Sequence, residues 1–229
     1  MQKKYVPLLL FFAALLVFAA HIGTRFVLSE PAFSLACAEE KRVYLTFDDG
    51  PSTIVTNRIL DILQKEKIRA TFFIVSDRVN GREETLNRIA AEGHTLGVHS
   101  ATHNYREIYA SDEALLADAE ACAAVIRNVT GVMPRVYRFP GGGGKDAARQ
   151  TALLQENGYR VVRWNAVCGD AEIAGATADV LFDTSVQTSR GKQPVILLLH
   201  DSATHHATAE ALPRIIGYFR GQGYAFCAY

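Results

Sequence analysis

Two acids side by side, two histidines four apart and one more histidine behind a run of leucines are the residues that can do chemistry in this chain. Asp48 and Asp49 end the apolar stretch Tyr44-Leu45-Thr46-Phe47, and Gly50-Pro51 follow. Adjacent carboxylates repel, and a bound cation relieves that: one acid becomes a ligand while the other remains nearby as a base. His99 and His103 stand at i and i+4 in His99-Ser100-Ala101-Thr102-His103, so on a helix they would share a face and offer two imidazole nitrogens to a divalent metal. His, His and Asp with one open position make a catalytic rather than a structural zinc set. His200 follows Val195-Ile196-Leu197-Leu198-Leu199, and its ordinary pKa suits protonation of a leaving group. Taken singly, each has a plainer explanation: an acidic turn, two polar side chains, a strand cap. Their common placement decides for chemistry.

That placement comes from the elements. Apolar runs near 43–48, 70–75, 95–99, 135–139, 160–165, 194–199 and 224–228 predict strands. Stretches of helical period near 54–66, 82–92, 112–129, 146–157, 177–190 and 207–221 predict helices. Gly93, Gly131 and Gly158 follow helices and Gly223 precedes the last strand, where stop signals belong. Alternating strands and helices imply a parallel sheet covered by helices. The fold class is α/β, and about seven strands are one short of a regular eightfold barrel. The expectation is a distorted, incomplete (β/α) barrel, with an open doubly wound sheet as the alternative. Both gather ligands at the carboxyl ends of the strands. Asp48, Asp49, His99, Arg138 and His200 all fall at such ends, and Asp170 lies in the loop after the fifth strand.

Gly141 to Gly144 with Lys145 imitate a phosphate loop, but Phe139 stands at the first glycine position and Asp146 replaces the Ser/Thr. These glycines are expected instead at positive φ or close to a ligand. His94, His205 and His206 lack strand-end positions and are expected in solvent or turns, and Trp164 is expected in the core.

The chain has 229 residues and 49% hydrophobic content, enough for one domain beyond a leader. Lys3 and Lys4 precede the apolar run from Val6 to Ala20, the order that targets a chain for export. Residues 1–38 therefore read as a signal peptide or signal anchor with a short linker, and 39–229 as the catalytic domain. Cleavage at Ala36-Cys37-Ala38, retention as an anchor and a lipid on Cys37 stay open. An extracytoplasmic location follows, secreted or held at the outer membrane face. The 24 basic and 24 acidic side chains fall to 21 and 23 once Lys3, Lys4, Arg25 and Glu30 are set aside, so the exported part is nearly neutral. No basic stripe argues for nucleic acid, and a neutral or mixed-charge polymer suits this surface. Cys122, Cys168 and Cys227 form no CxxC pair, which argues against a zinc ribbon, and Cys122 reads as a small buried side chain.

In this order the residues resemble the polysaccharide deacetylase family, carbohydrate esterase family four, across about 42–229. Thr46-Phe47-Asp48-Asp49-Gly50 is similar to its first motif, His99 to His103 to its second, Arg138-Phe139-Pro140-Gly141-Gly142 to its third and Leu197 to His200 to its fifth. The resemblance implies removal of N-acetyl groups from amino sugars of an acetylated glycan, most simply peptidoglycan, with one divalent metal, usually zinc. It also implies roles: Asp49, His99 and His103 as ligands, Asp48 as general base and His200 as general acid. Arg138 and Asp170 would form a pair behind Asp48, Gly141 N–H would stabilise the oxyanion and Leu198 would line the acetyl pocket. In the fourth motif Ala171 stands where a tryptophan usually follows the Asp, so one wall of that pocket is missing. The alternatives are an esterase acting on O-acetylated xylan or a similar polymer, and a catalytically silent glycan-binding protein.

Overall fold

The computed structural model describes residues 41–229. The leader, the apolar run from Val6 to Ala20 and Cys37 lie outside the described residues. Among the described residues no helix is long and apolar enough to cross a membrane.

Every strand pairing is parallel. The chain runs β1 (Arg42–Gly50), α1 (Val55–Glu66), β2 (Thr71–Val75), α2 (Glu83–Ala91), β3 (Thr95–Ser100), a one-turn α3 (Tyr105–Ile108), α4 (Asp112–Thr130) and β4 (Val136–Tyr137). It continues with α5 (Ala147–Glu156), β5 (Arg160–Val161), β6 (Ala166–Val167), α6 (Ala178–Ser189), β7 (Val195–His200), α7 (His206–Gly221) and β8 (Ala225–Cys227). The sheet order is β5-β4-β3-β2-β1-β7-β6, and β8 pairs with the start of β1. This is the expected incomplete barrel, with one change. The single strand expected at 160–165 is two short strands on opposite edges, β5 against β4 and β6 against β7. Val162 N–H still reaches Tyr137 O, and Asn165 N–H already reaches Ile196 O. The chain therefore crosses the seam of the curled sheet between those two residues, which is why no long strand forms there.

The helices follow from their patterns. In α1 the buried residues Val55, Thr56, Ile59, Leu60 and Leu63 recur at helical spacing, and Lys67 closes the helix in the left-handed region. Ser111 Oγ caps α4 by accepting the Ala114 N–H, and Gly131 ends it at φ 74°. Cys122 and Cys168 are free and buried. Cys122 packs in the apolar stripe of α4, as expected of a small apolar side chain. His94 departs from the expectation of a solvated residue: it is buried, its Nδ1 accepts the Ala70 N–H at 3.1 Å, and burial pushes its pKa down to about 4. Neutral, it ties the start of β2 to the chain entering β3.

Candidate active site

A regular strand sends successive side chains to opposite faces, so Asp48 and Asp49 could not serve one site from an unbroken β1. The break is visible in the register. Asp48 pairs with Phe73 and Gly50 with Ile74, which leaves Asp49 as an extra residue, and it takes φ 75°. The same happens on the far side of β2, where Val98 pairs with Ile74 and Ser100 with Val75, leaving His99 extra. Two bulges turn one acid and one imidazole toward the same rim.

His103 reaches that rim by a different route from the one its spacing predicts. Residues 101–104 form no helix, and His103 sits at φ 59°. Ser100 Oγ accepts the N–H of Thr102 (3.1 Å) and of His103 (2.8 Å), while the Asp118 carboxylate accepts Ser100 O–H and Ala101 N–H at 3.1 Å. The bend thus holds a left-handed histidine that a free chain would avoid.

Asp49 Oδ1 lies 3.1 Å from His103 Nε2 and 3.6 Å from His99 Nε2. One donor atom from each of the three residues falls within 4.8 Å of the others. His99 Nδ1 faces Arg138 O at 2.9 Å, which fixes the ring with Nε2 turned inward. Burial lowers the His99 pKa against the pull of Asp48 and Asp49, so the ring is kept neutral, the form a metal needs. At Asp49 burial raises the pKa, but His103, His99 and Arg78 outweigh it and hold the carboxyl well below its usual range. Its Oδ1 is buried and makes no hydrogen bond of acceptable geometry. A buried carboxylate oxygen facing two imidazole nitrogens without a hydrogen bond fits a divalent cation. His103→Ala should therefore lower bound metal and activity together, and full metal occupancy by elemental analysis would refute the ligand set.

Behind this group Arg138 is fully buried. Its Nη1 donates to Asp48 Oδ1 at 2.9 Å and to Thr46 Oγ1 at 2.7 Å, and its guanidinium lies 4.3 Å from the Phe73 ring centroid. Trp164 is half-buried over Arg138 and Gly142, not in the core as expected. The expected Arg138–Asp170 pair does not form. Asp170 Oδ1 meets His200 Nδ1 at 2.8 Å, and Oδ2 accepts His200 N–H (2.8 Å) and Thr208 O–H (2.7 Å). The physical reason is the seam: Asp170 follows β6, which runs beside β7, whereas Arg138 follows β4 on the far side of β3. Burial opposes charge on His200, but Asp170 first, then Asp48 and Asp49, raise its pKa to about 9. The Asp170 pKa falls, since His200 and Thr208 outweigh burial.

Asp48 and His200 are direct partners across β1 and β7. Leu198 is buried two residues earlier, opposite Thr46. Gly141, Gly142 and Gly143 all take positive φ after β4, as expected of this loop. A Cβ on Gly141 would come within 3.1 Å of the Tyr105 ring, which itself packs on His103.

Residues 36–162 match the family described as polysaccharide deacetylase. The chain belongs to the polysaccharide deacetylase family. It is 34% identical over 191 residues to the putative polysaccharide deacetylase YheN of Bacillus subtilis, covering 82% of this chain and 66% of that one. A peptidoglycan-N-acetylglucosamine deacetylase of Bacillus cereus is 32% identical over 203 residues, covering 83% and 70%. Among solved structures, the catalytic domain of a peptidoglycan N-acetylglucosamine deacetylase from Eubacterium rectale superposes with a TM-score of 0.75 at 28% identity, covering 84% of this chain and 90% of that one.

Three side chains of this polysaccharide deacetylase support the site without a motif to announce them. Arg78 donates to Asp49 O and lies 3.9 Å from Asp49 Oδ1. Asp118 shapes the histidine bend, and its signal was an acid three residues after Leu115 on the apolar stripe of α4. Asp201 is fully buried: its N–H donates to Asp48 O, and its Oδ2 accepts Thr56 O–H at 2.6 Å. A Cβ on Gly50 would come within 2.2 Å of that carboxylate, so only glycine fits there. Burial pushes the Asp201 pKa up to about 7.

Proposed function

We propose that this chain is a metal-dependent N-deacetylase of cell-wall glycan, acting on N-acetylglucosamine units of peptidoglycan. The observation that carries the reading is the pairing of Asp48 with His200 across β1 and β7, a proton acceptor and a proton donor flanking one ligand set. Asp49, His99 and His103 would hold a divalent metal, most simply zinc, which would supply Lewis acidity to the acetamide carbonyl and to water. Asp48, with Oδ1 tied to Arg138, keeps Oδ2 to take the proton of the attacking water. The Gly141 N–H is the oxyanion donor, a contact whose loss costs about 2.7–4 kcal/mol in other hydrolases. Leu198 gives the acetyl methyl an apolar wall. His200, oriented by Asp170, protonates the departing amine, and the products are acetate and a glucosamine unit.

The leader pattern in 1–38 supports export and an extracytoplasmic place of work, secreted or at the outer membrane face. The domain 39–229 is the part to purify. Acetate release should be fastest on peptidoglycan, slower on chitin oligomers and slowest on acetylated xylan, and a preference for xylan would make the chain an esterase instead.

The pH profile tests the acid. With a pKa of about 9, His200 carries its proton at neutral pH and loses it as pH rises through that value, so kcat/KM should fall on the alkaline side near 9. The pKa stands above its unfolded value near 6.5, so the stabilising Asp170 contact is complete below about 6.5 and fades as pH rises through about 9. Asp170→Asn removes the main opposing charge, and the alkaline limb should move to lower pH. A limb that stays in place would dismiss His200 as the donor.

A further inference from the structure

Beside the ligand set lies a second group of the same chemical kind. One donor atom each from Asp170, His200 and His205 falls within 4.8 Å of the others. The His200 and His205 rings stack, with centroids 5.2 Å apart and planes at 24°. His205 is therefore no simple turn residue, although it stands at the start of α7. Ser202 Oγ engages its Nδ1 at 2.7 Å, the kind of outer contact that orients a ligating imidazole and leaves Nε2 for a metal. The two oxygens of Asp170 differ. Oδ2 is held by the His200 N–H and by Thr208, whereas Oδ1 meets only His200 Nδ1. One oxygen thus fixes the carboxylate and the other is available. A cleft of about 250 Å³, lined by Asp170, Ala171, Thr204, His205 and Thr208, lies against the group. The small side chain of Ala171 keeps it open.

We propose that Asp170, His200 and His205 form a second, weaker site for zinc, and that filling it switches the enzyme off. The switching half rests on His200 as the proton donor, and the binding half does not. Entry breaks one bond and makes one: the His200 Nδ1–H proton leaves to solvent, and the freed lone pair binds the metal, with no change of oxidation state. Asp170 Oδ1 then faces the metal instead of that proton, and His205 supplies the third donor. At bond lengths of about 2.0–2.2 Å, tetrahedral donors stand roughly 3.3 Å apart, so the 2.8 Å contact of Asp170 with His200 opens by about half an ångström. This site is weaker than the first because it sacrifices a hydrogen bond and discharges an imidazole. Asp49 Oδ1 has no hydrogen bond to lose.

The test titrates zinc chloride into enzyme carrying one equivalent of zinc, reading stoichiometry by calorimetry and elemental analysis and catalysis by acetate release. A second, weaker equivalent should bind, and acetate release should fall by at least about tenfold on saturation, because the Nε2–H left on a metal-bound imidazole is a far weaker acid than that of the imidazolium. His205→Ala should keep the first equivalent, lose the second and escape inhibition. Ala171→Trp, which fills the cleft but leaves all three donor residues in the chain, should raise the zinc concentration needed for inhibition. A second equivalent that persists in His205→Ala, or none bound at millimolar zinc, overturns the site. Binding through His205 with undiminished acetate release overturns the switch and His200 as acid together, while the metal site itself stands.

Discussion

Asp48→Asn should keep its metal and lose roughly 10²–10⁴-fold in turnover, the range ascribed to a positioned general base. The amide is nearly the same size, and its oxygen can still accept from Arg138 Nη1, so the β1 bulge and the neighbouring ligands have no reason to move. The other arm of the side chain changes from acceptor to N–H donor, which leaves an attacking water no group to take its proton. Asp48 Oδ2 is 3.9 Å from His99 Nε2, close to the ligand set without belonging to it. Elemental analysis and acetate release on the same sample decide the matter. Loss of metal would make Asp48 a ligand, and near-normal turnover would place the base elsewhere.

The largest effect on stability is expected from Arg138→Met. The guanidinium is fully buried and bridges Asp48 and Thr46, and Thr46 O–H passes the chain of hydrogen bonds on to Leu197 O. Methionine fills much of the volume but strands the Asp48 carboxylate, which is 3% exposed, without its counter-charge. Breaking a buried ion pair from one side costs about 3–5 kcal/mol. For a domain of this size that is a fall in Tm of about 6–20 °C. An unchanged Tm by calorimetry would mean that water or a shifted side chain replaces the arginine, and the pairing would carry no energetic weight.

The sequence made the six long helices legible to within a residue or two because each is an amphipathic stretch, some with clear capping signals, as Ser111 and Gly131 close α4, whereas the single turn of α3 is too short to show a period. Asp48, Asp49, His99, Arg138 and His200 stand at the carboxyl ends of β1, β3, β4 and β7, since strand ends are marked by local changes from apolar to polar. What local pattern cannot carry is the partner of a side chain across the sheet. Asp170 was expected behind Asp48 and instead holds His200, because the segment from Arg160 to Val167 changes edges partway along. The spacing of His99 and His103 suggested a helix, and backbone N–H groups donating to Ser100 Oγ and to the Asp118 carboxylate make a bend that serves the same two rings. His94 looked solvated because nothing near it in sequence tells that the Ala70 N–H needs an acceptor. Arg78 and Asp201 act on Asp49 and Asp48 through backbone atoms, which no side-chain motif records.

The extra residue at Asp49 and the one at His99 have a consequence for how such a site is lost. Removing a single residue beside either position would restore a regular strand, and the side chains beyond it would exchange faces. A descendant with that deletion would keep every aspartate and histidine and would still read as an enzyme by inventory. Its acid and imidazole would point into different halves of the molecule. For chains of this kind, the count of residues between Thr46 and Gly50, and between Gly97 and Ala101, is as diagnostic of catalysis as the identity of the residues themselves.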